Sequence, residues 1–288
     1  MANPRNNFSD NVDRWLSIAD LKIDYYTQFI KAWIPFNAWY MVSYYDETIP
    51  RVKDRDIIDH IKKHSNLYKN RIISLLSGND SEANEFKFHF GRLHNELENH
   101  IVPNIDKRLT FTQLTIEKNP MNSHSINHRG LIYRVAFNPT LARTANRVKC
   151  EIFDSQRHNQ NIYLDEIRGW DVDELNNSLH YIGLNQTRKE KLRICFEEVN
   201  PNKPINIVVF PERDRNGNFK QPRNTIEINR ELNIYFINDV DLISKILIEM
   251  LYQLRCILFH GEINPTETNQ GIYEHAYHIQ KVLIQELR

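Results

Sequence analysis

The chain has 288 residues, 41% hydrophobic and 26% charged, and its 37 basic and 37 acidic side chains cancel to a net charge of zero. That length fits one large domain or two smaller ones, and the zero balance excludes a nucleic-acid binder announced by bulk charge. Gly is scarce at 8, and neither GxGxxG nor GxxxxGK[ST] occurs, which excludes the dinucleotide and P-loop nucleotide folds.

The opening MANPRNNFSDNVDRW is polar and lacks an apolar signal core. No apolar run approaches membrane-spanning length, so the expectation is a soluble, cytoplasmic protein with no membrane partner. Cys150, Cys195 and Cys256 lie far apart without a CxxC, which argues against zinc and disulfide frameworks.

The first hundred residues read as helical. Ser9 and Asp10 can cap a helix starting near Asn11. Trp15, Ile18, Ala19, Ile23, Tyr26, Phe29, Ile30 and Trp33 then recur at helical steps, and Pro35 is expected to bend or interrupt the run. Trp33, Phe36, Trp39 and Tyr40 read as core or dimer-interface residues. Asp54 to Leu76 again has helical spacing and is broken by Gly78-Asn79-Asp80. Ser81 to His100 resumes it, and Pro103 marks an end.

The middle changes character. RLTFTQLTIEK, GLIYRVAFN, RVKCEIFD and NIYLDEI are β-branched or aromatic and partly alternating, so strands are predicted. A helix is expected near Gln186 to Val199, with TRKEKLR as its charged face. PINIVVFPE and NTIEINRELNIYFIN read as strands around the loop ERDRNGNFKQPR, in which Asn216-Gly217 signals a tight turn. Arg213, Arg215, Lys220 and Arg223, with Phe219 among them, form a candidate RNA-binding loop, weighed against a plain solvated turn. His124 and His128, in HSINHRG, are placed in an apparent loop and read as surface residues. No metal site and no cofactor are expected.

The last fifty residues return to helix. Asp239 or Asp241 caps a helix to about His260, and a final helix spans roughly Gln270 to Leu287, with Ala276, Ile279, Leu283 and Leu287 on one face. The fold class is therefore α+β: a helical bundle from both chain ends with a β-rich insert. The expected boundaries are 1–104 and 239–288 for the bundle and 105–238 for the insert.

The stretch LYQLRCILFHGEINP places Arg255 inside an apolar helix and His260 at its edge. Arg and His content alone gives about one R-x4-H match by chance. A second match, Arg55 to His60, sits at the start of a polar helix and reads as capping carboxylates and a solvated face. Five residues advance a helix by ~500°, leaving Arg255 and His260 ~140° apart around the axis. Either the helix ends at Gly261 and lets His260 turn back, or two copies meet about a two-fold axis. The bland alternative is a His on the helix dipole and an Arg that snorkels or pairs with Glu249 or Glu262.

RCILFHG, between an apolar helix and a final helix, resembles the R-x4-6-H signature of the HEPN superfamily, with the Apea-like HEPN group the nearest likeness. FIKAWIPFNAWY (29–40) is similar to that group's W-I-x-F-N-x-x-Y element. The resemblance covers roughly the first hundred and last fifty residues. It implies a HEPN-like helical bundle that dimerises through its motif helices. The implied activity is that of a metal-independent endoribonuclease in bacterial anti-phage defence or a toxin–antitoxin system. Arg255 and His260 would be catalytic, with Asn37, Cys256 and Glu262 in support. RNA, tRNA included, would be the substrate, and a regulatory protein or ligand would act at the insert. The alternative is a catalytically inactive HEPN module that binds RNA or a partner protein. Cys256-Ile257 departs from the polar residue that often follows the motif Arg. Gly261-Glu262 replaces the H-x-Y tyrosine of adenylylated toxins.

Overall fold

The computed structural model describes residues 12–13, 24–44, 53–99, 103–104, 107–116, 119–142, 144–156, 161–170 and 172–287. The expected cap at Ser9-Asp10 and the Trp15–Ile23 part of the stripe lie outside them. The architecture is α+β, and the chain divides into two compact units. Met1–Ile116 with Pro204–Arg288 form one, and Glu117–Lys203 form the other.

The first unit opens with helix α1 (Tyr25–Tyr44), capped by Asp24, whose carboxylate accepts from the Thr27 amide (2.7 Å) and hydroxyl (2.8 Å). Pro35 does not interrupt it. The ring is on the exposed side, while Phe29, Trp33, Phe36 and Tyr40 bury both halves of the helix in the same core. Aromatic burial on each side of the proline outweighs a defect of about 3 kcal/mol. Asp54 to Leu76 is two helices rather than one, α2 (Asp54–Lys63) and α3 (Leu67–Ser77). Asn66 makes the break. Its oxygen caps α3 at the Lys69 amide, and its nitrogen donates to the Ile61 and His64 carbonyls, all at 2.9 Å.

Helix α4 (Ser81–Asn99) starts at Asp80, which accepts from the Ala83 amide. The short pairs β1 (Pro103–Asn104) and β2 (Lys107–Arg108) follow. RLTFTQLTIEK was expected to be a strand, yet among its described residues only Arg108, in β2, and Leu114, bridged to Ile205, pair. Leu109, Phe111, Leu114 and Ile116 instead sink into the helical core. Ile207, Ile228 and Phe236 join the same core. Residues 107–116 and 204–238 therefore belong to the helical unit, and the insert is shorter than expected, 117–203.

The second unit is an antiparallel meander in the order β3 (Ser123–His128), β4 (Leu131–Phe137), β5 (Val148–Asp154), β6 (Asn161–Ile167). Two short helices follow, α5 (Val172–Asn176) and α6 (Leu179–Ile182), then α7 (Gln186–Val199), with the limits expected for it. Leu192, Cys195, Phe196 and Val199 of α7 pack on Tyr133, Val135, Cys150 and Ile152 of the sheet. HSINH, expected as a loop, is the edge strand β3, exposed and half-buried residues alternating along it.

Back in the first unit, PINIVVFPE yields only β7 (Val208–Val209) before the hairpin β8 (Glu212–Arg213) and β9 (Phe219–Lys220). The expected strand stretch NTIEINRELNIYFIN is a hairpin of its own, β10 (Thr225–Asn229) pairing with β11 (Ile234–Ile237), and β7 adds to β11. Helix α4 lies so close to β10 that a Cβ on Gly91 would meet the Asn229 Cβ at 2.4 Å. Helix α8 (Val240–Phe259), capped by Asp239 at the Leu242 amide, fills the centre, and every residue from Ile246 to Tyr252 is buried. Helix α9 (Glu267–Ile284) packs on α1 and α4. Among the described residues no helix is long and apolar enough to cross a membrane.

A buried ion pair lies inside this apolar centre. Glu249 of α8 is fully buried and accepts from Arg55 Nη1 (2.7 Å), Lys62 Nζ (2.6 Å) and Gln253 Nε2 (2.6 Å). Lys62, itself buried, also reaches Asp59 and the Ile116 carbonyl, each at 2.7 Å. The pair locks α2 onto α8. We expect Glu249→Ala to destabilise the fold by about 3–5 kcal/mol, because it strands Lys62 without its buried partner. Lys62→Met with Glu249→Leu should recover most of that loss. Denaturant melts of the two variants check it.

Candidate active site

The last turn of α8 is where the apolar centre reaches water. Gln253, Arg255, Cys256 and Leu258 are half-buried, while Phe259 and His260 are exposed. The helix ends at Phe259 with His260 as its cap residue. Gly261 takes φ +64°, its amide donates to Leu258 O, and the Glu262 amide donates to Ile257 O. Those two bonds are a Schellman closure. The helix therefore stops at Gly261, and His260 is left exposed at its end. Ile263, just beyond, is fully buried and anchors the turn.

Arg255 turns toward α2 rather than toward His260. Its Nη2 donates to Asp54 Oδ2 at 3.2 Å. Its Cζ stands 4.6 Å from the centre of the Phe259 ring, and Cys256 Sγ lies 4.0 Å from Nη1. Glu249 and Glu262 are not its partners: Glu249 is taken by Arg55 and Lys62. Tyr40 of α1 borders the same spot. Burial first, then the Asp54 carboxylate, holds its phenol well above the ordinary range, against the pull of Arg255.

Arg55, expected on a solvated face, is instead structural. Besides Glu249 it pairs with Asp59 at 3.2 Å and lies over Tyr252 at 5.5 Å. Burial opposes its charge, yet the hydrogen bond and charge of Glu249, with Asp59 behind them, hold the guanidinium above its usual value. His60, the other half of that match, stacks on His64 at 4.1 Å.

Asn37 lies on the α1 face that carries Trp33 and Tyr40, at i, i+4 and i+7. Its Oδ1, the Trp33 Nε1 and the Arg255 Nε are buried with no hydrogen-bond partner among the described residues. Each such group costs about 1–3 kcal/mol. Cys256 is half-buried against the core and Glu262 half-buried in the closing turn.

The other expected sites separate from this one. Arg213, Arg215, Lys220 and Arg223 lie on or beside the exposed β8–β9 hairpin, where Arg213 covers Phe219 at 4.3 Å. Asp214 shapes its turn by accepting from the Asn216 and Asn218 amides. His124 and His128 share one face of β3, about 13 Å apart at strand spacing, too far for one ion. Asp54, Arg55, Lys62 and Glu249 were not picked out as a group, since their contacts span about 190 residues or more.

Comparison of the chain with protein-family models, curated proteins and solved structures found no match.

The closing turn gives a direct test. Nothing lies within 4 Å of a Cβ built on Gly261, so the cost of a side chain there is the backbone alone. Gly261→Ala should lose about 1 kcal/mol in thermal or urea melts, and Gly261→Asn less, because Asn tolerates the left-handed conformation.

Proposed function

We propose that this chain is a metal-independent endoribonuclease of HEPN type, acting as a homodimer. The reading rests on one observation: the solvent-reaching end of α8 carries both Arg255, its guanidinium held by Asp54, and His260, its imidazole exposed. The resemblance of RCILFHG and FIKAWIPFNAWY to the HEPN elements supports it, as does a helical unit built from the two outer segments of the chain.

The chemistry suits these groups. RNA carries its own nucleophile. A base removes the 2′-hydroxyl proton, O2′ bonds to phosphorus, the P–O5′ bond breaks, and the 5′ oxygen takes a proton. Imidazole titrates near neutrality and serves as base or acid, a contribution of about 10²–10⁴-fold. Guanidinium stays charged and matches two phosphate oxygens with a planar fork. The products are a 5′-hydroxyl and a 2′,3′-cyclic or 3′-phosphate end, and DNA is not cut.

Because Arg255 faces α2 and His260 caps the helix, one protomer supplies one half of a site. Arg255 of one protomer then faces His260 of the partner subunit. The middle of α8 is buried in its own chain, so the copies meet at the last turn, not along the helix. Phe259 at 57% exposure and Ile34 at 60% leave apolar surface for that contact. In this reading the protein is a cytoplasmic effector of anti-phage defence or a toxin–antitoxin system. The exposed hairpin with Arg213, Arg215, Lys220 and Arg223 grips RNA, and the β-rich unit receives a regulatory protein or ligand.

The Arg255–Asp54 pair favours a second reading, a catalytically inactive module that binds RNA or a partner protein, because the carboxylate occupies the fork meant for phosphate. One experiment separates the two. The purified chain is incubated with total RNA or tRNA in EDTA, beside Arg255→Ala and His260→Ala. Cleavage lost in both variants supports the nuclease; cleavage that persists in either removes that residue. No cleavage, with RNA crosslinking retained, selects the second reading. Asp54→Asn should raise RNA affinity about two- to fivefold in filter binding, the worth of a half-exposed pair.

A further inference from the structure

Helices α4 and α9 bring a second chemical group together, outside the α8 site. Glu85 and His89 are spaced i, i+4 on α4, and His275 and His278 are spaced i, i+3 on α9. The two helices pack on each other. Glu85, His89 and His278 each bring one ligand atom within 4.8 Å of the others. His89 and His275 meet Nδ1 to Nδ1 at 3.0 Å. Neither helix shows this alone; E-x3-H and H-x2-H were the signals in the sequence.

We propose that Glu85, His89 and His278 bind a divalent first-row transition ion, zinc by choice, with His275 orienting His89. Two imidazoles and one carboxylate are a nitrogen-rich donor set, which suits zinc, cobalt or nickel and not calcium or magnesium. Three protein ligands leave a coordination position open. His275 supplies the outer contact such sites use. With the shared proton on His89 Nδ1 and His275 accepting, the Nε2 lone pair of His89 is left to the ion.

The geometry asks for a small adjustment. The His89 and His278 rings stack 4.2 Å apart and within 5° of parallel, so their lone pairs do not yet converge. Coordination turns one ring about its Cβ–Cγ bond. Ligand atoms about 2.0–2.1 Å from a tetrahedral ion stand about 3.3 Å from each other, so the group closes by at most about 1.5 Å. Glu85 is exposed and the three histidines are half-buried, which gives the ion a path in. Bound, it pins α9, the helix that follows the closing turn at Gly261, to α4. This site is independent of the nuclease reading, whose cleavage is expected in EDTA.

The test uses the untagged full chain, stripped with EDTA, dialysed, and titrated with zinc by calorimetry and with cobalt by visible absorption. One ion per chain, a cobalt band of low-coordinate type and a higher melting temperature with zinc are the expected results. His278→Ala should abolish the cobalt band. Glu85→Gln should weaken binding at least ~10-fold, and His275→Ala ~10–100-fold as an outer-contact loss. Glu85 is exposed, so Glu85→Gln decides the matter even where a histidine variant fails to fold. Absence of saturable one-to-one binding, or unchanged affinity in Glu85→Gln, overturns the proposal.

Discussion

A single carboxylate sets the orientation of the helical unit. Glu249 sits in an α8 segment that is otherwise apolar on every side, and it is acceptable there only because three donors converge on it. Two of the donors, Arg55 and Lys62, come from α2. Any rotation of α8 about its axis would bring a charge against hydrocarbon and leave Arg55 and Lys62 with Asp59 as their remaining carboxylate. Shape-filling contacts between Leu and Ile tolerate sliding; this arrangement does not. The register it imposes carries outward to the last turn. The same α2 segment that supplies Arg55 supplies Asp54, and Asp54 meets Arg255. The exposed end of α8 is thus positioned from within the core.

Much of this was readable in the chain, and the reasons differ by element. Helix α7 and the strand character of β10 and β11 follow from local pattern, and a cap and a ladder bear them out. The termination at Gly261 was visible because only glycine readily takes the left-handed step. β3 was hidden because an edge strand facing water on one side can be written in His, Ser and Asn. The segment 108–116 carried strand-like residues for another purpose. Leu109, Phe111 and Ile116 plug the helical core without joining a ladder. Asn66 looked like one more polar residue in a helix until its three hydrogen bonds were seen.

The site divides in the same way. Arg255 and His260 stand five residues apart on one helix, so sequence could pair them. What Arg255 does was not local. Its partner is 201 residues away, and Glu249, the candidate on its own helix, is engaged by Arg55 and Lys62. The histidines of α4 and α9 show the same limit. Each helix has a sensible spacing, yet the group exists only because two segments about 190 residues apart pack together.

The discontinuity of the helical unit bears on how it is made. Its first helices end by residue 116, and the helix that fills their centre begins at Val240. A ribosome adding 5–20 residues per second needs roughly 6–25 s to cross that gap. For that time Phe29, Phe36, Phe90 and their neighbours have no α8 to cover them, and nascent chains of this kind draw on chaperones. Arg255 and His260 emerge with the very helix that completes the core, so a stalled or truncated product carries neither a finished fold nor the paired side chains at its rim.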